Sequence, residues 1–149
     1  MKYYVVFDTN VIVSSLLTRN PDAPTVRLVD MITDEIIKPV YSRSILEEYD
    51  EVLRRPRFSF SEETVERFLW VIRQFGENVD PMETEEPFFR DSDDKVFYEV
   101  VMAKKETVQK GEDAYLVTGN QKHFPERTFI VTPAELISII EEHRFGNRR

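Results

Sequence analysis

The stretch VVFDTNVIV at residues 5–13 places Asp8 and Asn10 directly after an apolar run. Short runs rich in β-branched and aromatic residues are typical of buried strands, so residues 3–7 are predicted to form one. A carboxylate at the end of a buried strand costs free energy unless a helix N-terminus, a cation or both meet its charge. The stretch therefore predicts a strand, a helix from about Asn10, and a carboxylate between them that needs a partner.

Strand and helix patterns alternate along the rest of the 149-residue chain. Further strands are predicted over residues 36–40, 114–118 and 129–131, with at most a short one near Val79 in an otherwise irregular segment over 77–92. Helical patterns fill the intervals over 10–17, 26–32, 45–53, 62–75, from about 95, and from 133. This alternation predicts an α/β fold with a mainly parallel central sheet covered by helices.

Several helix starts carry recognisable capping residues. Ser42 or Ser44 is predicted to cap the third helix, and Ser61 the fourth. The sequence Thr132-Pro133-Ala134-Glu135 has the spacing of a capping box with proline at the first helical position. These signals predict where three helices begin.

Length and composition indicate a single domain over 1–145 with a flexible tail over 146–149. The chain has no cysteine, which excludes disulfides and thiolate metal sites and is compatible with a reducing cytoplasm. Apolar stretches are too short for a signal-peptide core or a membrane span. We therefore expect a cytoplasmic protein with no membrane contact.

The charge balance constrains the partners that the chain can have. Its 28 acidic residues against 20 Lys and Arg give a net charge of −8, which argues against general binding of polyanions. Contact with nucleic acid would need a local basic patch or bridging metal ions. The candidates for such a patch are Arg54, Arg55, Arg57 and Lys122, and the alternative for the arginines is a solvated helix end.

Sites in parallel sheets form beyond the carboxyl ends of the strands. Asp8 leaves the first strand at that end, and Thr118-Gly119-Asn120 leaves a later one in the same way. If those two strands are neighbours, Asp8 and Asn120 face each other across one cleft. The alternative for Asp8 taken alone is that the following helix start satisfies its charge.

Other acids favour a functional cluster over capping alone. Glu48 lies at the border of the apolar stripe of its helix, where a side chain can point into a cleft. Asp91, Asp93 and Asp94 lie at the start of the next long helix. Capping accounts for one or two of these three acids, but so many like charges raise one another's pKa unless a cation intervenes.

Four blocks of the chain resemble the PIN-domain ribonucleases, in particular their VapC-like toxin branch. The blocks are FDTNVIVSSLL at 7–17, SILEEYDEVLRRPRF at 44–58, RDSDDKVFYEVVMA at 90–103 and DAYLVTGNQKHFP at 113–125. They occur in the order and spacing of that family. The resemblance implies a three-layer α/β/α fold with a mainly parallel sheet of about five strands.

The resemblance also implies an acidic site. Its catalytic, metal-binding acids would be Asp8, Glu48 and Asp94, with Asp91 or Asp93 as alternative occupants of the third position. At the fourth position many members have an aspartate, where this chain has Asn120, and related toxins have another where this chain has His123. Asn120 can still ligate through its amide oxygen. Asn10 and Thr118 match positions that orient the first acid, and ordinary turn chemistry is the alternative for both.

The implied activity is hydrolysis of RNA phosphodiester bonds by a site that holds Mg²⁺ or Mn²⁺, leaving a 5′-phosphate and a 3′-hydroxyl. Hard divalent cations prefer carboxylate oxygen and water, and a bound ion activates water and neutralises the scissile phosphate. The resemblance further implies a toxin with an antitoxin partner, and a homodimer is an open possibility.

Two other functions compete with that of a metal-dependent ribonuclease. A catalytically degenerate PIN fold could act by binding a protein partner, because Asn120 replaces an acid. A phosphotransferase of the haloacid-dehalogenase type is disfavoured, because it needs an Asp where this chain has Asn10.

Overall fold

A computed structural model describes residues 1–84, 89 and 92–145, with the backbone alone for 92 and 93. Within these residues the strands are β1 (Lys2–Phe7), β2 (Ile37–Tyr41), β3 (Glu77–Asn78), β4 (Glu112–Val117) and β5 (Ile130–Val131). The α-helices are α1 (Thr9–Leu17), α2 (Pro24–Thr33), α3 (Arg43–Leu53), α4 (Glu62–Phe75), α5 (Ser92–Lys105) and α6 (Pro133–Phe145). Two 3₁₀ turns lie at Pro56–Phe58 and Gln121–His123.

The sheet has the strand order β3-β2-β1-β4-β5, and every pairing is parallel. Strand β1 is central, and its residues 3–7 are all buried. It pairs with β4 along its full length, from Lys2 opposite Glu112 to Phe7 opposite Val117. Helix α5 packs across β1, β2 and β4, while α2 packs against β2 and against α1, α4 and α6. The predicted three-layer α/β/α arrangement with a parallel five-stranded sheet is confirmed.

The predicted helix caps are present. The Ser42 hydroxyl accepts a hydrogen bond from the Ile45 amide at 3.3 Å, so Ser42 rather than Ser44 is the cap of α3. Ser61 caps α4 through the amide of Thr64. At α6 the capping box is complete, because the Thr132 and Glu135 side chains each accept from the other residue's amide, at 3.2 and 3.1 Å.

Some predicted boundaries differ from those of the structure. Helix α1 begins at Thr9, one residue before the predicted start, and the short strand lies at Glu77–Asn78, just before Val79. Helix α5 begins at Ser92, so Asp94 lies inside its first turn rather than before the helix. Acidic residues stabilise a first helical turn as well as a cap position, so their presence alone does not locate the boundary. The predicted tail over 146–149 lies outside the described residues.

None of the described helices is long and apolar enough to span a bilayer.

Gly76 lies where α4 ends and the chain turns into β3. A Cβ atom at this position would lie 2.7 Å from the Pro39 carbonyl oxygen, 2.9 Å from Cε1 of Tyr41, and closer still to the Ile72 carbonyl oxygen. Two of these three atoms belong to the backbone and cannot move aside easily. The absence of a side chain at Gly76 therefore allows the end of α4 to approach β2.

We expect Gly76→Ala to lower the free energy of unfolding by about 1–3 kcal/mol, the usual cost of overpacking. Urea unfolding would measure the change as a lower midpoint at an unchanged slope. Gly119→Ala is the matched control, because nothing lies within 4 Å of a Cβ built there. Equal stability of the two variants would contradict the steric explanation.

Candidate active site at the carboxyl edge of the sheet

The carboxyl ends of β1 and β4 meet at one edge of the sheet. The Asp8 amide donates to the Val117 carbonyl at 3.0 Å, and the Thr118 amide donates to the Val131 carbonyl at 2.9 Å. These bonds continue the parallel ladder one residue beyond each strand. The two strands are neighbours, so residues that leave β1 and residues that leave β4 line the same edge.

Asp8 is buried, with only 7% of its surface exposed, and occupies the N-cap position of α1. Its Oδ2 atom accepts a hydrogen bond from the Thr118 hydroxyl at 2.7 Å. Its carboxylate makes no capping hydrogen bond of standard geometry to α1 in the described structure. The start of α1 therefore compensates only part of the charge of Asp8.

Burial raises the pKa of the Asp8 carboxyl above its usual value. The Thr118 hydroxyl, the nearby backbone N–H groups of Asn10 and Thr9, and the charge of His123 each lower that pKa, but together they do not cancel the burial effect. Asp8 is therefore a carboxylate whose ionised form is incompletely compensated by the protein, and a bound cation would favour that form.

Glu48 reaches the same edge from α3. It is half-buried, and its Oε2 atom accepts a short hydrogen bond from the buried Thr9 hydroxyl. The next residue, Tyr49, is buried and donates its hydroxyl to the Phe7 carbonyl oxygen. Tyr49 thus fixes α3 against the end of β1, and Thr9 fixes the carboxylate of Glu48.

The pKa of the Tyr49 hydroxyl also indicates that two of the acids lie near it. Its pKa is raised well above the usual value by burial, and further by the negative charges of Asp8 and Glu48. Both carboxylates therefore act electrostatically on the same phenol, although they belong to different elements of the fold.

Asp94, His123 and Asn120 form the other side of the site. Asp94 lies in the first turn of α5 with 14% of its side chain exposed, and its Oδ2 atom lies 3.5 Å from Nδ1 of His123. The other ring nitrogen of His123, Nε2, lies 3.0 Å from Nδ2 of Asn120. An amide nitrogen donates, so in the neutral ring Nε2 accepts this bond and Nδ1 carries the proton, on the side that faces Asp94.

The remaining predicted site residues differ in whether their side chains contact Asp8. Thr118 makes the contact with Asp8 that an orienting residue would make, whereas the Asn10 side chain is exposed and only its backbone acts on Asp8. Asp91 and the side chain of Asp93 lie outside the described residues. Asn120 is exposed, with its backbone amide held by the Thr118 hydroxyl at 3.0 Å.

The side chains of the candidate site are of the chemical type that binds a hard divalent cation. Carboxylates of Asp8, Glu48 and Asp94 and the amide oxygen of Asn120 are the ligands that Mg²⁺ and Mn²⁺ prefer. In the described part of the chain, however, no three His, Asp or Glu side chains lie close enough together to hold a metal ion. The chemistry of the donors and the burial of Asp8 fit a cation, and the described carboxylates lie farther apart than direct ligation by all of them requires.

The predicted arginine patch is largely occupied by internal ion pairs. Arg54 contacts Asp50, Glu62 and Glu66, which ties the end of α3 to α4. Arg55 pairs with Glu51 at 3.1 Å. The Arg57 guanidinium lies 4.7 Å from the centre of the Phe58 ring. This geometry favours the structural alternative for Arg54 and Arg55, because phosphate would have to displace carboxylates.

Two contacts of the site were missed by sequence reasoning. Thr9 was passed over as the residue between Asp8 and Asn10, yet it binds Glu48 from a position 39 residues away in the chain. The sequence leaves the role of His123 open, whereas in the structure its ring lies between Asp94 and Asn120. The adjacency of Thr9 to Asp8 was an available signal, but its partner depends on how α3 packs.

A family model described as PIN domain matches residues 4–122 of the chain. This match begins within β1, runs through β4, and includes Asp8, Glu48, Asp94 and Asn120 of the candidate site. No curated protein matches the chain.

The raised pKa of Asp8 has a consequence for stability in the absence of metal. The folded protein binds more protons than the unfolded protein between the usual value of 3.8 and the raised value, so this group makes stability fall as pH rises through that interval. In EDTA at pH 7, we expect Asp8→Asn to be more stable than the unmodified chain, with the difference shrinking as pH falls toward 3.8.

Urea unfolding at several pH values would measure this difference. Asp22→Asn, in the exposed loop between α1 and α2, is the control for removal of one negative charge. A less stable Asp8→Asn protein at pH 7 in EDTA would show that ionised Asp8 is fully compensated within the fold.

Proposed function

The chain belongs to the PIN domain family, and on that basis we propose that it is a divalent-metal-dependent endoribonuclease with Asp8, Glu48 and Asp94 as its essential acids. PIN domains are generally nucleases, those nucleases act on RNA, and they usually hold Mg²⁺ or Mn²⁺ in an acidic site. We further propose that residues 1–145 act as one domain.

The observation that carries this proposal is the placement of Asp8. The Asp8 carboxylate is 7% exposed, accepts a hydrogen bond from the residue that follows β4, and keeps a raised pKa despite the backbone N–H groups at the start of α1, so helix capping alone does not explain it. Its position at the carboxyl edge of a parallel sheet is where ligand sites form in this fold class. Glu48 and Asp94 approach the same edge from α3 and α5, so three elements supply acids to one place.

Each side chain of the site has a distinct part in the proposed reaction. Asp8, Glu48 and Asp94, with the amide oxygen of Asn120, would hold Mg²⁺ or Mn²⁺, some of them through bound water, and the ion when bound would supply an activated water and neutralise the phosphate. Thr118 and Thr9 fix the carboxylates of Asp8 and Glu48. Fixed ligands lower the reorganisation that binding of substrate requires.

His123 is proposed to position Asp94 and Asn120 relative to each other. Its two ring nitrogens face these two residues, one in α5 and one after β4. A single ring thus couples the acid on one side of the edge to the amide on the other. The products expected from hydrolysis are a 5′-phosphate and a 3′-hydroxyl.

The competing proposal is a PIN fold without catalysis that binds a protein partner. Two observations favour it: the fourth position is Asn120 instead of an acid, and the described residues contain no cluster of three metal-ligating side chains. Calorimetry with Mn²⁺ separates the two proposals. Binding that is lost in Asp8→Asn supports the nuclease, and no binding at millimolar Mn²⁺ supports the partner-binding protein.

We also propose, from the resemblance to VapC-like proteins, that the nuclease is the toxin of a toxin–antitoxin pair and that it can form a homodimer. Induced expression in a bacterial host should then arrest growth, whereas expression of Asp8→Asn should not. Normal growth with the unmodified chain at comparable protein levels would count against the toxin role and leave the nuclease proposal untouched.

We expect Asp8→Asn, Glu48→Gln and Asp94→Asn each to reduce Mn²⁺-dependent cleavage of single-stranded RNA by roughly 100-fold or more, since loss of even an outer partner of a metal site costs up to about that much. End-labelled RNA resolved on denaturing gels measures the rate, with EDTA as the metal-free arm.

Glu47→Gln is the matched control for Glu48→Gln. Glu47 precedes Glu48 on α3, but its side chain is 67% exposed and pairs with Arg43 on the outer face. Cleavage should be unchanged in this variant. Full activity in Glu48→Gln, with the fold confirmed by circular dichroism, would remove Glu48 from the site.

A further inference from the structure

An exposed aromatic side chain lies on the outer face of α4. Trp70 is the single tryptophan of the chain, and 55% of its surface is exposed. Its ring meets that of Phe75 edge-on, with the ring centres 6.5 Å apart. Phe68, Leu69 and Ile72 of the same helix are buried, so Trp70 lies on the face that points away from the core. Its indole therefore offers a large planar surface to another molecule.

A cavity of about 380 Å³ adjoins this aromatic pair near the amino edge of the sheet, where the parallel strands begin. Phe75 lines it, together with Lys2 at the start of β1 and Lys38 in β2. Neither lysine makes an ion pair with a described residue. One exposed acid, Glu35, also lines the cavity. Two cations thus face the same space as the aromatic ring of Phe75.

A third cation lies on the same helix as the tryptophan. Arg73 follows Trp70 by three positions on α4, so the two side chains are neighbours on the helix surface. It is exposed and makes no ion pair with a described residue. Many other cations of this acidic chain are held in internal ion pairs, namely those of Arg27, Arg43, Arg54, Arg55, Arg67, Lys104 and Lys105.

We propose that an amino-edge patch, formed by Lys2, Lys38, Trp70, Arg73 and Phe75, binds the single-stranded RNA substrate at a distance from the bond that is cleaved; this inference rests on the proposed nuclease function. A base stacks on the exposed indole, and the three cations contact phosphates. An exposed aromatic ring among cations is typical of proteins that bind single-stranded nucleic acid. Stacking is tolerant of base identity, so the patch anchors a strand without reading its sequence.

The length of β1 separates this patch from the candidate site. Lys2 begins the strand and Asp8 follows its end, which places their backbones about 20 Å apart at the usual rise per residue. An RNA must therefore be several nucleotides long to occupy both places. Binding at one place raises the effective concentration of the strand at the other. We thus expect the patch to strengthen the binding of long RNAs and to have no effect on RNAs too short to reach it.

The fluorescence of the single tryptophan tests the stacking contact directly. An RNA of about twelve nucleotides, within the usual range of single-strand site sizes, is added to the full chain in EDTA. We expect it to quench the fluorescence of Trp70, because a stacked base covers the indole. Polyglutamate should leave the fluorescence unchanged. RNA binding without a change in fluorescence would overturn the proposal, and equal quenching by polyglutamate would indicate a site for an acidic protein segment instead.

Anisotropy of the same RNA, labelled with fluorescein, measures affinity at several salt concentrations. We expect Trp70→Ala to raise the dissociation constant roughly tenfold, and Lys38→Ala to reduce the slope of log K against log salt by about 0.7, the value for one lost phosphate contact. Leu17→Ala removes an apolar side chain that is 52% exposed on α1, and Arg19→Ala removes an exposed cation from the loop that follows. Both controls should behave as the unmodified chain, and equal weakening by controls and patch variants would overturn the proposal.

Cleavage of two RNA lengths keeps the patch and the nuclease hypotheses apart. For Trp70→Ala, we expect KM for the longer RNA to rise with kcat unchanged, and kcat/KM for an RNA of about four nucleotides to be unchanged. Metal-dependent cleavage that this variant weakens equally for both lengths, or for neither, refutes the patch alone. Binding that depends on Trp70 without cleavage of either RNA refutes the nuclease alone.

Discussion

The hydrogen bond from the Thr118 hydroxyl to the Asp8 carboxylate is the contact on which the candidate site depends. It joins the residues that follow the two central strands, so it exists only because β1 and β4 pair in parallel and in register. Asp8 is buried at the end of the central strand, and the protein compensates its charge only in part. The fold therefore retains an unfavourable group at the one edge where ligands of such sheets bind.

The other acids reach this edge because helices begin there. Ser42 ends β2 and caps α3, and Tyr49 then ties α3 to the Phe7 carbonyl, which leaves Glu48 beside the end of β1. Asp94 enters with the first turn of α5. Helix α3 starts directly after the carboxyl end of β2, so the parallel sheet brings Glu48 to the edge at which Asp8 leaves β1.

Local signals in the sequence are sufficient for the alternation of strands and helices, whereas the three layers and five strands were implied by the family resemblance. The apolar run before Asp8, the capping serines and the Thr132–Glu135 box each depend on residues within four positions, and each lies where it was predicted. The contacts that were not predicted are distant in the chain. Thr9 binds Glu48 across 39 residues, and Arg54 is neutralised by acids on another helix, so both required knowledge of how α3 packs.

The acidity of the chain is compatible with a polyanionic substrate because its charges are separated in space. Internal ion pairs occupy Arg54 and Arg55 at the end of α3, while Lys122, in the turn after Asn120, makes no ion pair with a described residue. Long-range attraction of RNA would be weak for such a surface, and binding would depend on short-range contacts. The proposed nuclease would therefore depend more on how an RNA strand fits the carboxyl edge of the sheet than on the total charge of that RNA.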